Sequence, residues 1–361
     1  MTAPSPTCLA AVAYPDGTVR PERFPVPEVA DGAALLEVEA SGVCGTDLEL
    51  LAGGLDAPVI LGHHVVGRLH EVGEAAGRDW RLGRGQRVVV EEYLPCGACE
   101  ACRGEGTYRF CPDTDLFGGG RRVGLVPVSV PPSLWGGNAE LLALPANAVL
   151  HPVPDDLNAQ DAVWTLPLAN AFDWTAGSAE LPGASVVVVG PGLHGLCAVV
   201  AARLCGASTI VVAGLPHDRP RLAMARELGA TDVVENVGDG LLDAVRAATG
   251  GQGADLVVHT AGPDVAASTT LVRRLGTLVL AGIGGTTPLD GAALVRGAVT
   301  VRGVRGRDPR WVTRALEELA AGTTRLESVP TRTVAIDGVG HVYDAMRHGE
   351  LSATPHVVVR P

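Results

Sequence analysis

Four cysteines lie close together in the first third of the chain, at Cys96, Cys99, Cys102 and Cys111. Tetrahedral zinc takes four thiolate or imidazole ligands, and a C-x2-C-x2-C-x8-C spacing lets one loop surround the ion. Glycines between the cysteines permit the turns that such a loop needs. A disulfide pair and unconnected buried thiols are the alternatives. Half of the chain's eight cysteines lie in this one segment, and that concentration favours a structural zinc site.

A second group with zinc-binding chemistry lies nearer the N-terminus, in the segments GVCGTD and GHHVVG. Cys44 and His63 offer a thiolate and an imidazole, which form a ligand set for catalytic zinc when one position stays open. A ligand histidine usually gives its other N–H to a carboxylate, and Asp47 is the candidate. Thr46 carries a hydroxyl that could pass on the proton of a substrate. Taken alone, Cys44 and His63 are more typical of a protein core, so this hypothesis depends on the other motifs.

A glycine-rich turn, GPGLHG, follows the apolar run SVVVV and opens a second apolar segment. A G-x-G-x-x-G pattern between a strand and a helix is typical of a dinucleotide-binding site, where backbone N–H groups and the helix dipole bind the diphosphate. The alternative is a glycine-rich turn of another α/β protein. The predicted cofactor-binding residues are Gly190, Gly192, Leu193, His194, Gly195, Gly214, His217, Arg219, Arg221 and Thr260.

The residues after the second strand of this region bear on the choice of dinucleotide. An NAD site usually has an acidic residue at the end of that strand, where it binds the ribose 2′-hydroxyl. Here the strand ends at Gly214, and His217, Arg219 and Arg221 follow. Cations without a carboxylate favour a 2′-phosphate, and therefore NADP. Asp218 could still bind a 2′-hydroxyl, and the arginines could belong to a solvated helix start.

Composition excludes several classes of function. The chain has 361 residues and a formal net charge of -12, which disfavours nucleic acid or an anionic membrane surface as a partner. The N-terminus lacks the pattern of a signal peptide. The apolar stretch 185–214 is interrupted by glycine and proline near its start, so we expect strand, turn and helix there and no membrane span. We expect a cytoplasmic protein, where cysteine clusters bind metal more often than they form disulfides.

Hydrophobic patterning divides the chain. The first ~155 residues carry short runs of alternating apolar residues between Gly and Pro turns, which predicts an antiparallel, barrel-like domain. From Ala162 onward, Ala- and Leu-rich helical segments alternate with buried-strand runs. Strands that alternate with helices predict a parallel sheet covered on both faces.

In this order, the CGTD and GH elements, the four-cysteine lobe and the glycine-rich turn resemble the zinc-dependent medium-chain alcohol dehydrogenase family, including polyol and threonine dehydrogenases. The resemblance covers essentially the whole chain and implies an α/β fold. It places a GroES-like β-barrel catalytic domain at 1–156, with the zinc lobe at about 95–111, and a Rossmann doubly wound parallel-sheet domain at 157–305. Residues 306–361 return to the catalytic domain.

The resemblance also implies an activity and an assembly. Hydride passes between a nicotinamide cofactor, NADP or NAD, and the carbon of a small secondary alcohol or ketone of the polyol or amino alcohol type. A catalytic zinc stabilises the alkoxide. Homodimers or homotetramers would form through strands of the Rossmann domain, here around 299–304.

The chain departs from the family pattern at three positions. His64 replaces the usual Glu after the GH histidine, and Glu49 replaces a proton-relay His, although a carboxylate could still accept a proton. Leu166 stands where the family has a third zinc ligand, and leucine cannot bind zinc.

Leu166 leaves three interpretations open. His64 could complete a Cys44, His63 and His64 ligand set, although neighbouring side chains of a strand point to opposite faces unless the backbone turns. Alternatively, the catalytic zinc is absent and the enzyme reduces an activated C=C or C=N bond with only the structural zinc retained. Asn170 and Asp173 are poorer substitutes for the missing ligand. A dinucleotide-binding sensor without hydride transfer is the hypothesis from a different class.

Overall fold

The structure of the protein, a computed structural model, describes residues 6–116, 119–235, 239–262, 265–282 and 288–361. Its contacts divide the chain into two units, one of Met1–Leu166 with Thr331–Pro361 and one of Pro167–Pro330. The segments 1–156, 157–305 and 306–361 remain a prediction, and by contacts the second unit begins after 166 and ends at 330.

Contacts within the second unit explain the later boundary. The Trp174 Nε1–H donates to the Gly306 carbonyl at 3.2 Å, and Phe172 stacks on Trp311 with ring centroids 5.8 Å apart. These contacts tie the segment that follows residue 305 to the second unit, which the hydrophobic pattern alone could not indicate.

The first unit is built mainly of strands. Its strands are β1 (Thr7–Ala13), β2 (Val19–Pro25), β3 (Ala34–Gly42), β4 (Val59–Ile60), β5 (His64–Val72), β6 (Arg87–Val90), β7 (Leu141–Leu144) and β8 (Leu150–Pro152). Its helices are α1 (Gly45–Glu49), α2 (Glu74–Trp80), α3 (Glu100–Arg103) and α4 (Ala159–Ala162), while α5 (Thr165–Trp174) begins at its end and continues into the second unit.

The second unit alternates strands with helices. It contains β9 (Ser185–Val189), α6 (Leu193–Leu204), β10 (Thr209–Ala213), α7 (Arg219–Leu228), β11 (Asp232–Val234), α8 (Asp239–Ala248), β12 (Ala254–His259), β13 (Val272–Leu280), α9 (Gly291–Gly297), β14 (Thr300–Gly303) and α10 (Pro309–Ala320). The returning segment adds β15 (Thr331–Val334), α11 (Val339–Arg347) and β16 (His356–Val359) to the first unit.

Two sheets form the first unit. One has the order β15-β16-β3-β5-β6-β8, with β7 also paired to β3, and the other has the order β2-β1-β4. The pairs are antiparallel except β15 with β16, as the alternating pattern predicts. Both terminal strands of the chain's returning segment join this sheet, so β16 lies beside β3 and close to the start of α1.

The sheet of the second unit is parallel throughout, in the order β11-β10-β9-β12-β13-β14. This is the doubly wound order in which the chain reverses direction between β9 and β12, and ligands bind at that switch point. The predicted parallel sheet is therefore confirmed, and the switch point lies at the glycine-rich turn that follows β9.

Small aliphatic residues fill the core of the second unit. In the second unit, Val187, Val211, Val257 and Leu278 from four neighbouring strands belong to one buried cluster. Side chains of this size let helices lie close to the sheet and bury nearly continuous apolar strands.

Glu39 on β3 pairs with two arginines of the antiparallel sheet. Its carboxylate accepts hydrogen bonds from Arg87 at 2.5 and 3.0 Å and from Arg68 at 3.2 Å, which join β3, β5 and β6. Burial raises the pKa of Glu39, but the two guanidinium groups outweigh it and hold that pKa below its ordinary value of 4.5.

We expect Glu39→Gln to lower the free energy of unfolding by about 1–3 kcal/mol near neutral pH, because Arg87 loses a charged acceptor in a partly buried place. The folded-state pKa of Glu39 is lowered, so its contribution is complete above its unfolded pKa and is lost as pH falls through the folded value. Urea unfolding at about pH 7 and about pH 3 measures the difference. The matched control is Glu74→Gln, which breaks an exposed pair with Arg78. Equal losses in both variants, or a loss at Glu39 that does not depend on pH, would contradict the assignment.

Candidate active site

The four-cysteine lobe has the geometry of a zinc site. One ligand atom from each of Cys96, Cys99, Cys102 and Cys111 lies within 4.8 Å of the others. The sulfurs of Cys99 and Cys102 are 3.5 Å apart, and those of Cys96 and Cys102 are 3.9 Å apart. All four are free thiols, so the disulfide alternative does not hold. A tetrahedral metal ion fits this donor set.

Backbone groups of the lobe favour thiolate sulfur. The N–H groups of Ala98 and Cys99 donate to the Cys96 sulfur at 3.4 and 3.3 Å, and these bonds lower the pKa of Cys96 to about 7. The Cys96 N–H in turn donates to the Cys111 sulfur at 3.4 Å. Burial and the neighbouring cysteines instead raise the pKa of Cys102 to about 12, so it is at Cys96 that the backbone favours the thiolate that zinc binds.

Asp47 joins Cys44 to His63 in the first unit. Cys44 is the residue before α1, and its backbone N–H donates to Asp47 Oδ2 at 2.9 Å, which caps the helix. The other oxygen, Asp47 Oδ1, lies 3.2 Å from Nδ1 of His63. Asp47 is fully buried, and a carboxylate beside Nδ1 is a common neighbour of a histidine that binds metal through its other ring nitrogen.

The charge of Asp47 acts strongly on His63. Burial lowers the pKa of His63, but the carboxylate of Asp47 and the sulfur of Cys44 outweigh it and raise that pKa to about 10. The pocket around this imidazole is therefore arranged to stabilise a positive charge. A metal ion beside His63 and Cys44 would supply that charge in place of the proton.

His64 lies on the same side as His63, although the two are neighbours in sequence. Strand β5 begins at His64, so His63 is outside the strand, and Gly62 before it has a φ of +96°. The two imidazole centroids are 4.5 Å apart, and a ring nitrogen of His64 lies within 4.8 Å of the Cys44 sulfur. Because the backbone turns at Gly62, the side chains of His63 and His64 need not point to opposite faces, as neighbours within a strand do.

Thr46 and Glu49 lie on α1 beside this group. The Thr46 hydroxyl is 3.8 Å from the Cys44 sulfur, and Glu49 follows one helical turn later. Residues three apart share a face of a helix, so the two side chains can act in sequence. Burial raises the pKa of Glu49, which brings its carboxyl group nearer to the range where it exchanges protons at neutral pH.

The residues of α5 that could replace the third zinc ligand have other contacts in the structure. Leu166 is buried and offers hydrocarbon alone. Asp173 pairs with Arg302 at 3.4 Å, and the Asn170 amide nitrogen is 3.4 Å from Nε2 of His194. These contacts within or near α5 leave His64 as the better candidate.

The glycine-rich turn of the second unit meets the three requirements of a dinucleotide site. Gly190 has a φ of +97°, and a Cβ there would lie 3.0 Å from Cβ of Ala261. A Cβ on Gly195 would lie 1.9 Å from the Gly190 carbonyl oxygen, so helix α6 packs directly on the turn. A Cβ on Gly192 would meet nothing within 4 Å. The tight turn, the close packing and the open backbone are the three roles by which such glycines bring a diphosphate to a helix N-terminus.

The remaining predicted residues of the turn lie around it. Leu193 and His194 open α6, and the His194 ring packs against Trp174 with centroids 5.1 Å apart. The Thr260 hydroxyl lies 2.8 Å from the Gly190 carbonyl oxygen and 3.1 Å from that of Val189, which joins the end of β12 to the turn after β9. The structure therefore brings these residues together at the switch point of the sheet.

The charged residues after Gly214 have partners in the structure. The Asp218 carboxylate accepts the Leu215 N–H at 3.1 Å and pairs with Arg221 at 3.3 Å. Arg219 is highly exposed and pairs with Glu235 at 2.7 Å. His217 lies 3.6 Å from Asp218. Asp218 is thus used to close the turn, and its charge is offset by Arg221.

Sequence reasoning missed three polar side chains near these sites. The buried His259, at the end of β12, contacts the Ser268 hydroxyl and the Gly262 carbonyl oxygen, both at 2.9 Å. Asn138 and Tyr343 hydrogen-bond to each other in the first unit, across 205 residues of sequence. The contact between Asn138 and Tyr343 joins residues that no local motif connects, so the spacing of residues could not reveal it.

Comparisons with known proteins agree with this description. Residues 30–155 match the family model of the alcohol dehydrogenase GroES-like domain, and residues 195–321 match that of zinc-binding dehydrogenases. The chain is 36% identical over 354 residues to a probable alcohol dehydrogenase of Mycobacterium tuberculosis H37Rv, with 94% of each chain covered. It is 29% identical over 282 residues to the sorbitol dehydrogenase of Bacillus subtilis, covering 76% of this chain and 74% of the other.

A solved structure shows the same likeness. A zinc-binding dehydrogenase from Sinorhizobium meliloti, described as putative and bound to NADP, matches with a TM-score of 0.82 at 25% identity. The match covers 99% of this chain and 100% of the other.

The chain belongs to the zinc-binding alcohol dehydrogenase family, with a GroES-like domain and a Rossmann-type domain. The predicted family, fold class and enzyme class are confirmed, as is the use of zinc and of NAD(P) by an oxidoreductase that interconverts alcohols and ketones. None of the helices in the described ranges combines the length and the apolar character that a membrane span requires.

Proposed function

We propose that the protein oxidises a small secondary alcohol of the polyol or amino alcohol type with NADP, at a catalytic zinc distinct from the zinc of the lobe. The observation that carries this proposal is the arrangement of Cys44, Asp47 and His63, with His64 beside them. Thiolate and imidazole are the donors that catalytic zinc takes, and zinc held by them can keep a position open for substrate. Among the relatives, the sorbitol dehydrogenase acts on a polyol by its name, which supports the substrate class.

Each residue of the group has a separate task. When bound, zinc would polarise the substrate oxygen as a Lewis acid, and the nicotinamide would accept a hydride from the adjoining carbon. Asp47 holds the Nδ1 side of His63, so the other ring nitrogen is the one available to a metal. The hydroxyl proton that the alcohol loses passes to Thr46 and onward to Glu49, whose raised pKa suits a proton acceptor.

The alternative function without a catalytic zinc is suggested by Leu166, which cannot bind the metal. It requires that Cys44, Asp47 and His63 keep a metal-binding arrangement without using it. A ring nitrogen of His64 lies within 4.8 Å of the Cys44 sulfur and offers a donor that Leu166 cannot. The relatives from Mycobacterium tuberculosis and Bacillus subtilis are named an alcohol dehydrogenase and a sorbitol dehydrogenase. The zinc-containing site is therefore the better supported function.

Removing one cysteine from each site tests this proposal. We expect Cys44→Ser to lose one zinc per chain and to lower kcat by more than about 100-fold, because the metal that polarises the substrate is gone. Cys111→Ser should lose the other zinc and lower the free energy of unfolding by about 4 kcal/mol, the effect of a ligand at about 1,000 times its Kd. Metal analysis, steady-state kinetics and urea unfolding measure these outcomes.

The matched control is Cys205→Ser, which removes a partly exposed thiol at the end of α6. It should keep both metals and full activity. A wild-type protein with a single zinc per chain that still reduces an activated C=C bond would overturn the proposal in favour of the alternative.

The preference for NADP rests on the charges after β10. The tip of the strand is Gly214, and a Cβ there would lie 3.0 Å from Cβ of Asp218 and from Cγ of Pro191, so an acidic side chain does not fit without movement. Asp218 is held by Arg221, while the exposed pair of Arg219 and Glu235 contributes little and can open. A 2′-phosphate would gain the Arg219 cation there, while Asp218 stays paired with Arg221.

We expect Arg219→Ala to lower kcat/KM with NADP by about 10-fold or more and to change kcat/KM with NAD little, because one charge-assisted hydrogen bond is lost. Steady-state kinetics with both cofactors measure the ratio. Arg226→Ala, on the same helix but in its last turn, is the control and should leave the ratio unchanged. A wild-type enzyme that prefers NAD would contradict this part of the proposal.

We also propose that the protein is a cytoplasmic homodimer or homotetramer, with small molecules and no nucleic acid or membrane as partners. All eight cysteines are free, which suits a reducing compartment. Strand β14 ends the described parallel sheet, and Val295 and Leu275 near it are 82% and 74% exposed. An uncovered strand with apolar neighbours is a site where a second copy can pair. Light scattering should give the mass of two or four chains, and the mass of one chain would contradict this assembly.

A further inference from the structure

Three polar side chains form a buried chain of hydrogen bonds in the first unit. The Ser41 hydroxyl donates to Asn138 Oδ1 at 3.1 Å, and Asn138 Nδ2 donates to the Tyr343 hydroxyl at 2.8 Å. All three side chains are at most 1% exposed. The two hydroxyls thus satisfy one polar atom each at the two ends of the buried carboxamide.

The carboxamide lies directly against the turn that carries His63. A Cβ on Gly62 would lie 2.5 Å from the Ser41 hydroxyl oxygen and 2.6 Å from Asn138 Oδ1. The backbone continues this contact, since the Asn138 N–H donates to Leu61 O at 2.9 Å and the Gly137 N–H donates to Gly62 O at 2.8 Å. Asn138 and Gly137 therefore hold the turn before His63 through both side-chain and backbone contacts.

Tyr343, at the other end of this series of hydrogen bonds, lies within electrostatic range of Asp47 and Cys44. Tyr343 comes from α11, which packs against α1. Burial raises the pKa of Tyr343 well above its ordinary value, and the charges of Asp47 and Cys44 raise it further. The hydroxyl thus stays protonated and within electrostatic range of both residues.

We propose that Asn138 and Tyr343 are positioning residues for the metal site, which hold the Gly62 turn so that His63 meets Asp47 and Cys44. This inference rests on the catalytic zinc of the proposed function. It assigns a task to two residues that contact neither the metal nor a substrate. The element that carries Tyr343 is the C-terminal return of the chain, so the returning segment contributes to the site and does more than complete a sheet.

The test is the affinity of the purified protein for zinc in Tyr343→Phe. This change leaves Asn138 Nδ2 buried without its acceptor, so the carboxamide turns or moves, and the Gly62 turn moves with it. We expect the zinc that depends on Cys44 to bind about 10-fold more weakly, while the lobe keeps its zinc. Competition with a chelator of known affinity, read as zinc retained per chain, measures the change without any activity assay.

A cobalt spectrum gives a second readout that stability alone does not move. With zinc kept in the lobe, cobalt at Cys44 gives absorption bands that depend on ligand geometry, and we expect them to shift in Tyr343→Phe. Asn138→Leu should shift them similarly, and the double variant should be no worse than the poorer single one, because the residues act as one unit. Ser41→Ala, which removes a single donor, is the milder variant if the others fold poorly.

The matched control is Tyr14→Phe, which removes a tyrosine hydroxyl that binds Glu22 in the same unit. It should leave zinc affinity and the cobalt bands unchanged. If Tyr343→Phe matches this control in both readouts, the inference is overturned while the proposed function stands. If the wild-type protein has no zinc that depends on Cys44, both are overturned.

Discussion

The fully buried carboxylate of Asp47 is the constraint around which the catalytic group is organised. A charge without solvent is costly unless it is paired and hydrogen-bonded, so the fold must bring partners to both oxygens. One oxygen takes the Cys44 N–H and begins α1, and the other meets His63 from a different part of the chain. A single carboxylate thereby joins the end of β3, the start of α1 and the start of β5.

Close backbone approaches make these contacts possible. Gly62 turns the chain before His63 with a positive φ, and its missing side chain leaves room for Ser41 and Asn138. Gly190 and Gly195 act in the same way in the parallel sheet, where the turn and the helix lie in contact. In each unit, glycine provides a space that a polar group or a cofactor uses, and any larger residue would displace the neighbouring backbone.

The two sites differ in how far the sequence could predict them. Cys96, Cys99, Cys102 and Cys111 are neighbours in the chain, so their spacing alone indicates a shared ion. The ligands of the catalytic group come from separate segments. The expectation that His63 and His64 diverge was reasonable for a strand, but β5 begins at His64 and leaves His63 on the preceding turn. That start depends on pairing of His64 with Gly42, which is a tertiary contact.

By itself, the sequence determined the family, the order of the two kinds of sheet and the residues of the glycine-rich turn. These features are local in the chain, because periodicity and ligand spacing act over a few residues. Only the tertiary structure decided the unit boundaries at 166 and 330 and the partners of Asp218. It also decided the series of hydrogen bonds from Ser41 through Asn138 to Tyr343. Each of those joins residues distant in sequence, and a buried polar side chain shows its partner only when packing has brought the two together.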